Sequence, residues 1–458
     1  MRTTASSLRG AVWTEKDLII FTPNSGSPLY RVSAAGGDTA AVTTLDRAAG
    51  ETSHRWPEVL PGGVGIVFTV FGATADEAHL AAVSLESGET KRFPILGMRP
   101  QYASTGHVVY GTADGSLLAV PFDAAGLEVT GAPVSLLEGV MVRTSITSEF
   151  TLSRSGSLAY LSGLPPELSL VMVDRHGVEE TLVEELQEPA APRVSPDGLR
   201  VALSRQESGN TDIWVYDLVQ RTLTRMTFEG NNRYPFWSLD GTRIGFSSAR
   251  EGGERGLYWL PADGSGTAEL LYAVEGTPVW EASWMPDGQS LIVRQSDQGI
   301  RNIYAVPLAG GEEPRPLMQT EFNERSPMVS PDGGWLAYAS NESGRDEVYV
   351  RPLPGPGGKR QISTDGGTEP LWSLDGTELL YRGNDGNLYA VAIRTTPALS
   401  VGQRTVLFED QHVRQSQHTN YDLNPRDGRF VMIKGSAEPT NLVVVLNWYE
   451  ELRARMER

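Results

Sequence analysis

A four-residue turn, Ser-Pro-Asp-Gly or a close variant, recurs along the chain, each time ahead of a strand whose apolar residues alternate. It is intact at Ser195–Gly198 and Ser330–Gly333, and recognisable at Ser238–Gly241, Met285–Gly288, Ser373–Gly376 and Asn424–Gly428. Fainter versions lie at Pro61–Gly63, Ser104–Gly106 and Ser153–Gly156. Successive turn glycines are 42 to 52 residues apart. Aspartate bonds its own backbone and glycine tolerates positive φ, so Asp-Gly closes tight hairpins. A repeat of that length with strand chemistry inside it predicts an all-β protein, a β-propeller of four-stranded blades. Every Asp-Gly here reads as a turn rather than a pair of catalytic acids.

Residues 234–274 show one unit. Pro235–Ser238 is an inner strand, Arg243–Ser247 a second with Ile244 and Phe246 two apart, Leu257–Leu260 a third and Glu269–Tyr272 an outer one. The same grammar gives ten units, beginning near Val12, Trp56, Pro100, Phe150, Pro192, Tyr234, Glu281, Ser326, Glu369 and Tyr421. Aromatic and β-branched residues fill the third strands, as in Ile213–Tyr216 and Val348–Val350, and suit a pleated, half-buried surface. A lone sheet cannot cover its own faces, so stability must come from stacking. Trp214, Trp237, Trp259, Trp284, Trp335 and Trp372 are accordingly expected between blades, not in a ligand cage.

The net charge is −18, from 57 acidic against 39 basic residues. That balance argues against nucleic acid or an anionic membrane surface as partner. The chain has no cysteine, which removes disulfides and cysteine-metal sites. Neither a signal peptide nor an apolar run of bilayer length is legible. The expectation is a cytoplasmic chain as written, or an extracytoplasmic one within a membrane-anchored parent. Strand chemistry begins almost at once, at Val12-Trp13, so the chain is expected to be the rear part of something longer.

Two units resemble TolB-like propeller repeats, in which Ser-Pro-Asp-Gly is followed by a hairpin reading Ser-x-x-x-Gly-x-x-Asp-hydrophobic-Trp/Tyr-Val. The carrying residues are Ser208–Val215 and Ser340–Val350. Nearly the whole chain is similar to the propeller region that follows the kinase domain in many bacterial serine/threonine protein kinases. That likeness rests on Pro28–Gly37, His54–Pro57, Leu117–Asp123, Val173–Gly177 and Val444–Trp448. It implies a sensor module. No glycine-rich nucleotide loop, catalytic His-Arg-Asp or Asp-Phe-Gly is present, so phosphoryl transfer is not expected of this polypeptide.

Ten blades exceed the usual four to eight of one ring. The last unit offers three strands, near 420–423, 429–433 and 442–447, and an open edge invites aggregation. If 181–186 supplies the outer strand beside 442–447, residues 179–449 close a six-bladed C-terminal ring. Residues 12–178 then form an incomplete four-blade array, and 450–458 a short tail. The alternative is one large ring, favoured if 181–186 lies beside 170–174.

Chemical motifs fail on inspection. Gly355–Arg360 suggests a phosphate loop, but Leu353 and Arg360 occupy the positions that need glycine and hydroxyl. Gly245–Ala249 lacks the second glycine of a hydrolase elbow. His412 and His418 match no metal spacing, and Asn341–Glu347 lacks the oxygen rhythm of a calcium loop; an Arg345–acid pair is the expected use there. No cofactor and no metal are implied. The polar outer-to-inner connections at 231–234, 322–325, 364–369 and 417–420 remain, and rigid scaffolds carry binding groups on such loops. Arg233, Glu324, Arg325, Glu369 and His418 are therefore expected to line a recognition surface at the channel mouth. The reading is a non-catalytic module for a protein, a peptide or a small ligand. The alternatives are an accessory propeller of a peptidase system and a cryptic propeller hydrolase.

Overall fold

The computed structural model describes residues 9–23, 26–72, 77–143, 147–163, 167–207, 210–250, 255–297, 300–308, 312–355, 357–396, 398–415, 418–435 and 441–456. Ser208 and Gly209 of the repeat hairpin, Pro356, and Gln417 fall outside them. The protein is all-β and a β-propeller, divided into two compact units, 167–436 and 1–166 with 437–458.

In the unit spanning 167–436, five blades follow one another in sequence. The first comprises Ala190–Val194, Arg200–Glu207, Asn210–Asp217 and Thr222–Arg225. The second comprises Asn231–Trp237, Arg243–Ala249, Gly256–Pro261 and Glu269–Tyr272. The third runs Val279–Trp284, Ser290–Asp297, Ile300–Pro307 and Arg315–Met318. The fourth runs Glu324–Val329, Trp335–Ser340, Glu347–Pro352 and Arg360–Gln361, and the fifth Gly367–Trp372, Glu378–Gly383, Asn387–Arg394 and Ser400–Glu409. A sixth, closing blade joins both ends of the unit: Tyr421–Leu423, Phe430–Gly435, Leu168–Val173 and Glu179–Leu186 lie side by side in that order.

Strand Glu179–Leu186 does not lie beside 442–447, the pairing the expected closure required. It pairs with Leu168–Val173, which pairs in turn with Phe430–Gly435. Six blades nevertheless close, because Leu168–Val173 takes the third position and each end of the unit contributes two strands. Val171, Leu371, Leu380, Tyr421 and Phe430 then pack in one cluster, joining the fifth blade to the closing one. The strand Asn441–Val445 belongs to the other unit, where it pairs with Leu158–Ser162.

The recurring turn has one geometry. In Ser195-Pro196-Asp197-Gly198 the serine hydroxyl donates to Asp197 at 2.5 Å, and the Leu199 N–H donates to the same oxygen at 3.0 Å. The Arg200 N–H returns to Ser195 Oγ at 2.9 Å. The bonds recur at Ser238/Asp240, Ser330/Asp332 and Ser373/Asp375. Two of the six tryptophans tie blade to blade, Trp237 Nε1 donating to Arg193 O at 2.9 Å and Trp372 Nε1 to Met328 O at 3.1 Å, whereas Trp237 and Trp284 also line a cavity, against the expectation.

A second device also repeats. Ala191, Tyr234, Ser326 and Glu369 stand at positive φ, each immediately before a proline of an inner strand. The ladder slips by a residue at each of these places. Proline withdraws a ladder donor and denies its predecessor the right-handed helical region, so pairing yields to a bulge. A bulge re-aims its side chain, and the left-handed backbone costs about 1–2 kcal/mol at each non-glycine position.

The other unit contains the sheets Ala11–Trp13 to Ala40–Ala41, Ser53–Val59 to Thr90–Leu96, and Met98–Ala103 to Val134–Leu137. A three-stranded sheet follows, made of Phe150–Leu152, Leu158–Ser162 and Asn441–Val445. Trp56-Pro57 and Arg99-Pro100 repeat the positive-φ bulge. The expected tail is a helix, Trp448–Met456, whose Trp448, Tyr449 and Leu452 are buried against Val109, Leu117 and Leu158. Its three apolar residues at spacings of one and three form a stripe that binds the sheet instead of fraying into solvent.

Candidate functional site

The inner strands of the 167–436 unit surround a channel, and the bulges decide what faces it. At the outer-to-inner end, the described residues of segment 410–420 (410–415 and 418–420), between the fifth blade and the closing one, are bonded to several blades. Val413 O accepts from Arg382 Nη1 of the fifth blade at 2.8 Å. Thr419 O and Asn420 Oδ1 accept from Arg193 Nη2 and the Ala191 N–H of the first, at 3.0 and 2.7 Å. His418 stacks on Tyr234 of the second, with ring centres 3.5 Å apart, and bonds Glu281 of the third. The segment stoppers this end of the channel.

Two buried ionic clusters anchor the stopper. In one, Glu281 accepts from Arg294 Nε at 2.7 Å, His418 Nδ1 at 2.8 Å and the Ser326 N–H at 3.1 Å. Arg294 Nη2 reaches His418 Nε2 at 3.3 Å, so the tautomer with its proton on Nδ1 satisfies all three groups. Burial works to raise the Glu281 carboxyl, but Arg294 with His418 outweighs it and holds the group down to about 2. Burial pushes His418 down to about 4 despite Glu281 beside it. The cluster is thus a carboxylate, a guanidinium and a neutral imidazole at pH 7. In the other, Arg382 lies 3.3 Å from Glu369 and 3.0 Å from Asp410. Glu369 also accepts from the Asn420 and Gln415 N–H groups at 2.6 and 3.2 Å. Burial raises the Glu369 carboxyl against the pull of Arg382.

Below the stopper a cavity of about 330 Å³ runs along the inner strands to the Asp-Gly turns. Tyr234, Glu281, Ser326 and Thr419 line its closed end. Phe236, Trp237, Trp284 and Met328 line its walls, and the exposed Pro196, Leu239, Leu374 and Pro425 its mouth. Leu239 and Leu374 replace the turn proline and are 49 % and 52 % exposed, which gives an otherwise acidic protein an apolar rim.

The five expected site residues separate. Glu369 and His418 are buried in the clusters just described, and Glu324 is buried beside Thr320, whose hydroxyl donates to it at 2.6 Å. None of the three lines an exposed surface: Glu369 and His418 are held by their buried partners, and Glu324 is buried with one carboxylate oxygen unpartnered. Arg325 pairs with Asp346 at 2.7 Å. Arg233 lines a cavity, taken up below. Arg345 pairs with Glu347 at 2.7 Å as expected, and Gly355–Arg360 joins two strands of a hairpin. His412 sits between Asp410 and Glu179, and no group of three metal-ligating side chains converges among the described residues. Glu281, Arg294, Arg382 and Asp410 went unrecognised in the sequence. None of the four stands at an Xaa-Pro step, and no local pattern in the sequence marks them.

Residues 273–415 match the family described as TolB beta propeller domain. Among curated proteins, the uncharacterized peptidase YuxL of Bacillus subtilis is 26 % identical over 200 residues, which is 34 % of this chain and 30 % of that protein. The Tol-Pal system protein TolB of Anaeromyxobacter dehalogenans is 29 % identical over 106 residues, 23 % of this chain and 24 % of that one. The chain thus spans less than a third of the length of either. The solved structure of a putative TolB from Agrobacterium tumefaciens superposes with a TM-score of 0.50 at 19 % identity, over 59 % of this chain and 99 % of that one. At that identity the likeness establishes the fold, a TolB-like propeller.

Proposed function

We propose that the protein is a non-catalytic recognition module that takes up a protein or peptide segment through the turn-side mouth of the channel. The observation that carries this reading is the 330 Å³ cavity with a polar closed end and an apolar rim. Binding sites are concave and mostly apolar, with a few placed polar groups. The opposite end is stoppered by segment 410–420, so entry falls to the turn face. Rim residues Leu239 and Leu374 supply hydrophobic contact, and Glu281, already ionised, offers an acceptor to a donor that reaches the closed end. Selection from a displayed random-peptide library tests the idea: enriched peptides should lose at least ten-fold in affinity for the Leu239→Glu, Leu374→Glu double variant. Equal affinity for both proteins would sink it.

The 200-residue similarity to a peptidase favours a second reading, an accessory propeller that admits substrates to a peptidase active site elsewhere. Under it, the chain by itself turns over neither peptides nor esters, with or without divalent metal. Adding the chain to a separately supplied partner peptidase changes that enzyme's size cut-off. Turnover by the chain alone would instead support the cryptic hydrolase. A kinase-sensor role rests on the sequence resemblance only.

A further inference from the structure

Beside the stopper, on the face opposite the channel mouth, a second cavity of about 250 Å³ lies over the first and second blades. Its polar lining comes from Glu188, Ser204, Gln206, Thr211, Arg233, Tyr234 and Gln415; Leu168, Pro189 and Val413 supply apolar wall. Arg233 is held in an unusual way. Its Nε donates to Asn231 Oδ1 at 3.0 Å, and Arg255 Nη2 donates to that same oxygen at 3.2 Å. Two guanidinium groups therefore converge on one neutral acceptor. Their other bonds are also to neutral groups: Arg233 Nη2 to Thr211 Oγ1 at 3.4 Å, and Arg255 Nη1 to Ser247 O and Oγ at 3.4 and 3.3 Å. Arg255 lies 5.0 Å from the Trp280 ring centre. Among the described residues, no carboxylate stands within ion-pair distance of either arginine.

Such an arrangement is costly without a counter-ion. Burial and the Arg233 charge together depress the Arg255 guanidinium to about 10. In a chain of net charge −18, where Arg225, Arg294, Arg325 and Arg382 each pair with an acid, two cations sharing an amide oxygen are positioned for an incoming anion. We propose that this pocket binds the C-terminal carboxylate of a peptide, with Arg233 as its direct partner and Arg255 behind it.

Three features select that ligand. A guanidinium edge matches a carboxylate in bidentate geometry. The volume is below the roughly 300–1,000 Å³ of drug-sized sites, so it accepts a chain end rather than a through-going segment, while the Gln206 and Gln415 amides can pair with the terminal peptide group. Glu188 faces the same space; burial raises its carboxyl and Arg233 opposes that. A second negative charge would meet Glu188, so a monoanionic carboxylate is favoured over phosphate.

The pocket is separate from the turn-side mouth, and its test distinguishes the two. Calorimetric titration compares N-acetyl-Ala-Ala as free acid with N-acetyl-Ala-Ala-amide and with inorganic phosphate. The acid should bind at least ten-fold more tightly than the amide or phosphate, and less tightly as salt is raised. Arg233→Gln should abolish binding, Arg233→Lys should keep only a weak remnant, and Arg255→Gln should weaken it several-fold. The Leu239→Glu, Leu374→Glu variant should bind the acid normally. Circular dichroism establishes that each variant is folded. Equal affinity for acid and amide, phosphate binding as tight as the acid, no binding of the acid, or an Arg233→Gln variant with unchanged affinity would each overturn the proposal.

Discussion

His418→Gln offers a sharp test of the stopper. The wild-type imidazole is buried, donates to Glu281 at 2.8 Å and is depressed from 6.5 to about 4. Glutamine keeps a donor for Glu281 and removes the titration. Below pH 6.5 the unfolded chain takes up a proton that the folded protein refuses until about pH 4. Stability is therefore highest above 6.5 and falls as pH drops through the window between the two values. A separation of about 2.5 pH units at roughly 1.4 kcal/mol each gives about 3 kcal/mol in full, of which about 2 kcal/mol is lost between pH 8 and pH 5. Glu281, held to about 2, stays ionised throughout. His54, in the other unit and likewise depressed to about 4, adds its own slope to both proteins and cancels in the difference. The assay is urea unfolding of wild type and variant at pH 5, 6, 7 and 8, with the His418 ring proton followed by NMR. The wild type should lose about 2 kcal/mol relative to the variant on acidification. If wild type instead gains on acidification, or His418 titrates above 6.5, the imidazole is charged against Glu281 and the reasoning fails.

Asp332→Ala removes the acceptor of Ser330 Oγ at 2.5 Å and of the Gly334 N–H at 3.0 Å; unfolding free energy should drop by about 1 kcal/mol per lost bond at most. Gly198 and Gly376 both stand near φ +70°, but an added Cβ at Gly198 would lie 2.4 Å from Arg426 Cγ, whereas at Gly376 the nearest atom is 3.6 Å away. Gly198→Ala should therefore lower the denaturation midpoint more than Gly376→Ala, by about 1 kcal/mol beyond the shared backbone cost; equal losses would contradict the crowding. Phe430→Ala empties the core of the closing blade, where Phe430 meets Val171, Leu380 and Tyr421. It should cost about 4 kcal/mol in urea unfolding, and a loss under about 1 kcal/mol would mean that the closure does not carry the unit.

The blades were legible because their signals are local. An Asp-Gly turn, alternation in Arg243–Ala249 and β-branched third strands each declare themselves within a few residues, and their spacing repeats. The inner-strand bulges were legible in principle, since Tyr234-Pro235, Ser326-Pro327 and Glu369-Pro370 announce a broken ladder. The closing pair was not. Leu168–Val173 and Asn441–Val445 are both short apolar strands, and nothing local says which will sit beside Phe430–Gly435.

The same division governs the site. Sequence placed Glu324, Glu369 and His418 in polar loops at the surface; Glu324 and Glu369 lie in inner strands, His418 alone lies in a loop, and all three are buried. Whether a loop charge meets water or a distant partner depends on where segment 410–420 lies, and its partners stand up to 229 residues away along the chain. Local chemistry thus determined the strands, the turns and the propeller class on its own. Which strands close the ring, which end of the channel is blocked and which arginines lack an acid were settled only in three dimensions, because each depends on contacts between residues that no local pattern links.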